Sequence, residues 1–220
     1  MAAPNGEGAP LSWFQQRMWV HYERSPQDTS YNLPFPLLIR GNLNVSALER
    51  SVNAVVARHE SLRTFYGEGE DGEPRQFVAP PSFVPLPVVP VDRAQFLEHL
   101  NNFLEHRFDL RKGPVYIARL LRLPNEKESQ HLLLFAVHHI AADAWSLKAI
   151  LRAELQGAYV AFCQGQEPAL PRLTIRECLI RAVFLFHPFS GSYQRSWDTT
   201  GGLRIELSAN IRYRIQRICP

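Results

Sequence analysis

The chain has 220 residues, 45% of them hydrophobic and 20% charged, with a formal net charge of +3. That is enough chain for one globular domain with an ample core, and too little charge to argue for nucleic acid as a partner. No apolar run is long enough to cross a bilayer, so no membrane partner is expected. The first residues also lack the charged-then-apolar pattern of a secretory leader.

Residues 1–10 are small, polar and rich in Gly and Pro, as in a disordered lead-in. Ser12 is placed to cap a helix over 13–23, where Phe14, Met18 and Trp19 are apolar and Gln15, Gln16 and Arg17 polar. Residues 33–40 read as a strand, and Pro34 and Pro36 predict an edge or bulged one. Asn44 or Ser46 caps the next helix; Ser46-x-x-Glu49 fits a capping box, and Val45, Leu48, Val52, Val55 and Val56 line its core face. The acidic, Gly-rich 67–72 predicts a hairpin-like loop, and 75–78 resumes a strand. The five prolines of 80–90 predict an extended segment outside the middle of any sheet. A helix over 94–106, a turn at 108–114 and a strand over 115–123 follow. A charged loop at 124–130 comes next.

The organising stretch is 131–146. His131-Leu132-Leu133-Leu134-Phe135-Ala136-Val137 is a nearly unbroken apolar run, as in a strand buried on both faces. Beyond it, apolar residues at 147, 150, 151, 155, 158 and 162 keep helical spacing. The connection carries His138, His139 and Asp143. Adjacent side chains on extended backbone point to opposite faces, so one histidine should meet packing and the other an open space. Histidine titrates near neutrality, so the open one can take a proton at working pH. Asp143 lies among apolar residues, which predicts a buried carboxylate in need of a cation or several donors. The bland alternative is a satisfied histidine pair closing a strand. A metal centre is disfavoured, because no compact His-x-x-x-His or Cys-x-x-Cys spacing is present nearby.

His138-His139-x-x-x-Asp143 after a buried strand resembles the motif of condensation domains in non-ribosomal peptide synthetases. It is also similar to motifs of other acyltransferases with the chloramphenicol-acetyltransferase fold. Ser12-x-x-Gln15-x-Arg17-Met18-Trp19 resembles a first condensation-domain motif, departing at Phe14, where the family favours a small residue. Arg58-His59-Glu60-Ser61-Leu62-Arg63-Thr64 resembles a second, although on charge alone it reads as a solvated helix end. Tyr31-Asn32 and Phe108-Asp109-Leu110 with Gly113-Pro114 are weaker matches. The resemblance covers residues 11–174 and corresponds to the first of two similar lobes.

It implies an α+β fold: a chloramphenicol-acetyltransferase-like sandwich lobe, a mixed and largely antiparallel sheet with helices packed on it, here expected on one side. It implies amide-bond formation between aminoacyl or peptidyl thioesters. Both would be held on phosphopantetheine arms of donor and acceptor carrier proteins, with no metal and no bound cofactor. By resemblance His139 faces the tunnel and deprotonates, contacts or stabilises the reacting groups. His138 would be structural, and Arg63 would pair with Asp143 to brace the loop. Ala144, where the family has glycine, and Ser146 would border the substrate. A glycine there permits positive φ or close approach, so Ala144 could narrow the channel or strain the turn. The alternatives are a catalytically idle lobe that docks a carrier protein or a complementary lobe, and an acyltransferase acting on alcohols, which the 58–64 motif disfavours. Cys163, Cys178 and Cys219 are widely spaced, which suits free thiols in the cytoplasm. After residue 174 the resemblance is expected to end. A poorly packed tail over 175–220 would follow, as a shifted frame, retained intron or truncation would produce.

Overall fold

The computed structural model describes residues 8–124, 129–169, 196–198 and 204–207. In chain order the elements begin with β1 (Ala9–Pro10), α1 (Trp13–Arg24), β2 (Asn32–Arg40), α2 (Val45–Arg58), β3 (Thr64–Glu68) and β4 (Pro74–Val78). They continue with β5 (Val88–Pro90), α3 (Arg93–Leu104), β6 (Tyr116–Leu123) and β7 (Gln130–His138). Last come α4 (Ala144–Ala149), a π-helical segment Ile150–Leu155, α5 (Gln156–Cys163), β8 (Ser196–Asp198) and β9 (Arg204–Leu207).

β7 is the keel. All nine of its residues are buried, as the apolar run predicts. It pairs antiparallel with β6 on one side and β2 on the other, so Phe135 stands between Ala118 and Phe35. The six-stranded sheet runs β5-β6-β7-β2-β9-β8, antiparallel except for the parallel edge pair β5–β6. A smaller sheet, β1-β4-β3, lies beside it.

Strand alternation divides β7 between two cores. Leu133, Phe135 and Val137 join Leu48, Val52 and Val55 of α2 and Ala158, Tyr159 and Phe162 of α5. Leu132, Leu134 and Ala136 join Met18 and Trp19 of α1 and Phe96, Leu100 and Phe103 of α3. Helices therefore cover both faces, not one. The cause is the run itself: a strand apolar at consecutive positions leaves neither face for water. Each of these large side chains contributes about 1.5–3 kcal/mol by leaving water.

Three further expectations are corrected. β2 is no edge along its second half, because β9 pairs with Leu37–Arg40. Both prolines lie before that contact, in the half of β2 that only β7 meets among the described residues. Part of the lead-in is ordered, since Ala9 and Pro10 pair with Gln76 and Arg75 of β4. Two stretches of the tail, β8 and β9, belong to the main sheet; the rest of 175–220 lies outside the described residues.

Helix starts follow local chemistry. Ser12 caps α1 in a capping box with Gln15, and Asp92 caps α3 in another with Gln95. At α2 the cap is Asn44, so Ser46 sits inside the helix and makes no box with Glu49.

Candidate functional site

β7 delivers the two histidines to the rim of the sheet. The His138 N–H bonds to the Val115 carbonyl (2.9 Å) and the His139 N–H to the Tyr31 carbonyl (2.8 Å). The Ala141 N–H then returns to the His138 carbonyl (3.0 Å), turning the chain out of the strand.

His138 is 6% exposed. Its Nδ1 accepts the Ile140 N–H (3.2 Å), so the ring's proton is assigned to Nε2. The ring stands edge-on to Phe108 (centroids 6.1 Å apart) and tilted against Tyr31 (6.0 Å). Burial, then the neighbouring His139 and His21, push its pKa down to about 4, so at neutral pH it is an uncharged packing group.

His139 is half-buried. Its ring meets Phe14 of α1 edge-on, with centroids 5.7 Å apart and planes at 67°. Nδ1 is shut away from solvent with no hydrogen-bond partner among the described residues. That leaves Nε2 as the nitrogen able to meet a substrate. One histidine is thus packed and the other open, although the turn, not continued strand, separates them.

Asp143 departs from expectation. It is exposed, and its Oδ1 accepts both the backbone N–H and the hydroxyl of Ser146, each at 2.7 Å. The Asp143 N–H in turn reaches Ser146 Oγ (3.2 Å). Asp143 therefore caps α4, with Ser146 as its reciprocal partner three residues on. A cap gives the carboxylate donors from its own helix, so no buried cation is required.

Arg63 is buried, but its guanidinium donates to the Ala79 carbonyl and lies 3.6 Å from Glu60. The Arg63–Asp143 bridge does not occur among the ion pairs of the described residues. Arg63 braces the turn Glu60–Arg63 against the chain leaving β4. Ala144 is the first residue of α4 and exposed; no non-glycine residue has positive φ among those described, so its methyl group strains nothing there.

Sequence reasoning missed two groups around the loop. The Ile140 carbonyl, one residue past His139, accepts from Gln15 Nε2 (3.3 Å) and the Tyr66 hydroxyl (3.4 Å). Only the Ser12-x-x-Gln15 spacing hinted at Gln15; nothing local marks Tyr66. On the other flank Glu154, in the π-helical segment, forms an ion pair with Arg58 (Nε at 2.9 Å) and a hydrogen bond with His59 Nε2 (2.7 Å). Among the described residues no cluster of three His, Cys, Asp or Glu could hold a metal ion, and no helix is long and apolar enough to cross a membrane.

The condensation-domain family model matches residues 5–176. The chain belongs to that family. It is 36% identical over 180 residues to a linear gramicidin synthase protein of Brevibacillus parabrevis, a match that covers 79% of this chain and 2% of that protein. It is 33% identical over 213 residues to the nonribosomal peptide synthetase agiA of Aspergillus flavus, covering 94% of this chain and 2% of that one. An alignment of that reach runs past residue 174, whereas the family match itself ends at 176. Among solved structures it is similar to the X-domain in a complex with OxyB from teicoplanin biosynthesis (TM-score 0.69, 32% identity, 81% of this chain and 38% of that one). The first condensation domain of the calcium-dependent antibiotic synthetase shares the fold (TM-score 0.68, 20% identity, 80% of this chain and 43% of that one). The chain thus spans a few hundredths of its curated relatives and under half of these solved chains.

Proposed function

We propose that this chain supplies the histidine-bearing lobe of a peptide-bond-forming condensation domain in a non-ribosomal peptide synthetase. The observation that carries the reading is His139, half-open at the end of the buried keel strand with only Nε2 free for a substrate. The acceptor's amine attacks the donor's thioester carbonyl; the C–N bond forms, the C–S bond breaks, and the amine's proton ends on the departing thiol. Both acyl groups arrive on phosphopantetheine arms of carrier proteins, so the lobe needs no cofactor of its own. Its work is to orient two tethered reactants and manage charge and protons between them.

The surroundings of His139 favour donation over abstraction. A neutral imidazole carries one N–H. On Nδ1 that proton would sit buried without an acceptor among the described residues; Nε2 is the better place for it, where it can bond the oxygen that gains charge during attack. His138 holds the turn from below, Asp143 and Ser146 start the helix behind it, and Arg63 stiffens the neighbouring turn. Ala144 and Ser146 border the approach from α4.

The test supplies loaded donor and acceptor carrier proteins together with a complementary condensation lobe and looks for the amide product on the acceptor by mass spectrometry. Product that disappears in His139→Ala supports the reading; product indifferent to it refutes it. The second reading, a docking lobe without catalysis, draws on the likeness to an X-domain that forms a complex with another protein. It would show as carrier or partner binding with no product under any pairing.

A further inference from the structure

Helix α1 touches the His139 loop twice through consecutive residues. Phe14, 47% exposed, lays its ring edge-on to that of His139. Gln15 sends Nε2 to the Ile140 carbonyl, 125 residues away in sequence. The orientation of the Gln15 amide follows from its other bond: Oε1 accepts the Ser12 N–H (2.9 Å), which leaves Nε2 as the donor.

A capping box needs only that Oε1 and the Ser12 hydroxyl. The second end of the amide does something the cap does not require. It lies within reach of both the Ile140 carbonyl and Gln76 Oε1 (3.2 Å), while Gln76 Nε2 donates to the Pro10 carbonyl (2.9 Å). Gln76 and Tyr66 are 2% and 1% exposed and Gln15 is half-buried, so two of the network's members are shut away from water. The His139 backbone is consequently held at both ends: its N–H on Tyr31, the next carbonyl on Gln15 and Tyr66.

We infer that Gln15 is a positioning residue for His139. It pins the carbonyl that follows the histidine and seats the turn that presents Phe14, so the first turn of α1 sets the direction in which Nε2 points. Groups that meet substrate need such support to keep their geometry. The inference rests on the reading that His139 serves the reaction, but its test does not need turnover.

The measurement is the Cε1–Hε1 signal of the His139 ring in a two-dimensional NMR spectrum, identified by its loss in His139→Gln. Phe14→Leu should move that signal, since the neighbouring ring's field is removed. Gln15→Glu keeps chain length and the oxygen that accepts from Ser12 but loses the N–H donor. It should move the His139 signal as well, with Phe14 still in place and the methyl spectrum otherwise native. An unmoved His139 signal in a folded Gln15→Glu chain would overturn the inference. If that variant does not fold, Gln15→Met, similar in shape and without polar atoms, decides by the same criterion. Displacement of the signal without any product in the carrier assay would uphold the positioning and refute the catalytic reading, so the two failures are distinguishable.

Discussion

Asp143 and Ser146 close a reciprocal pair at the start of α4: one carboxylate oxygen takes the serine's N–H and hydroxyl, and the serine oxygen takes the aspartate's N–H. The motif aspartate thus acts here through the helix it begins. Asp143→Ala should cost about 1 kcal/mol, the usual loss of an N-cap. Its effect should add to that of Arg63→Ala, since the two side chains share no bond. A thermal-melt double-mutant cycle checks this. Coupling above about 1 kcal/mol would restore the buried ion pair, whose disruption should cost roughly 3–5 kcal/mol.

Stability should fall on mild acidification. His138 has a folded pKa of about 4, below the ordinary value of 6.5, because burial opposes its charge. The unfolded chain therefore takes a proton that the fold refuses. The stability is fully present above pH 6.5, declines as pH falls towards 4, and stays flat below. Between pH 6.5 and 5 this amounts to about 2 kcal/mol, at roughly 1.4 kcal/mol per unit. Burial also lowers His106 and His131, adding slope of the same sign. Denaturant unfolding across that window should show a shallower dependence in His138→Gln. An unchanged slope would contradict the burial of an uncharged His138.

Glu154 joins the end of α2 to the π-helical segment between α4 and α5 through an ion pair with Arg58 and a hydrogen bond with His59. The side chains of His59 and Glu154 are 5% and 19% exposed, so water screens the cluster weakly. Glu154→Gln should cost about 2–4 kcal/mol, somewhat below the full-burial range for breaking such a pair. An unchanged denaturation midpoint would show that the cluster does not hold that helix.

Element types were legible in the sequence where the pattern is local and strong. The apolar run of 131–137 announced a doubly buried strand, and Ser12 announced the start of α1. What covers each face of a sheet is a non-local matter, which is why the helices on the second face were missed although the run demanded them. Pro34 and Pro36 could not report that β9 pairs beyond them. That one histidine of the pair is packed and the other half-open matches the reading from strand alternation, although the turn after His138, not the strand, separates them. The placement of Asp143 was not foreseen: its apolar neighbours argued for burial, while the Asp-x-x-Ser spacing of a cap went unread. Gln15 and Tyr66 meet at Ile140 through tertiary structure alone.

The most direct measurement is the yield of amide product on the acceptor carrier protein, with loaded donor and acceptor and with or without a complementary lobe. The 220-residue chain by itself should give little or none. One lobe orients neither arm, and orientation can supply up to roughly 7–11 kcal/mol of rate advantage. Adding the complementary lobe should raise the yield, and His139→Ala should then remove about 100-fold or more of the rate, as expected for a positioned proton-handling or charge-stabilising group. Robust turnover by the isolated chain, or recovered turnover that persists in His139→Ala, would contradict the claim that His139 is the working residue of one half of a two-lobed site.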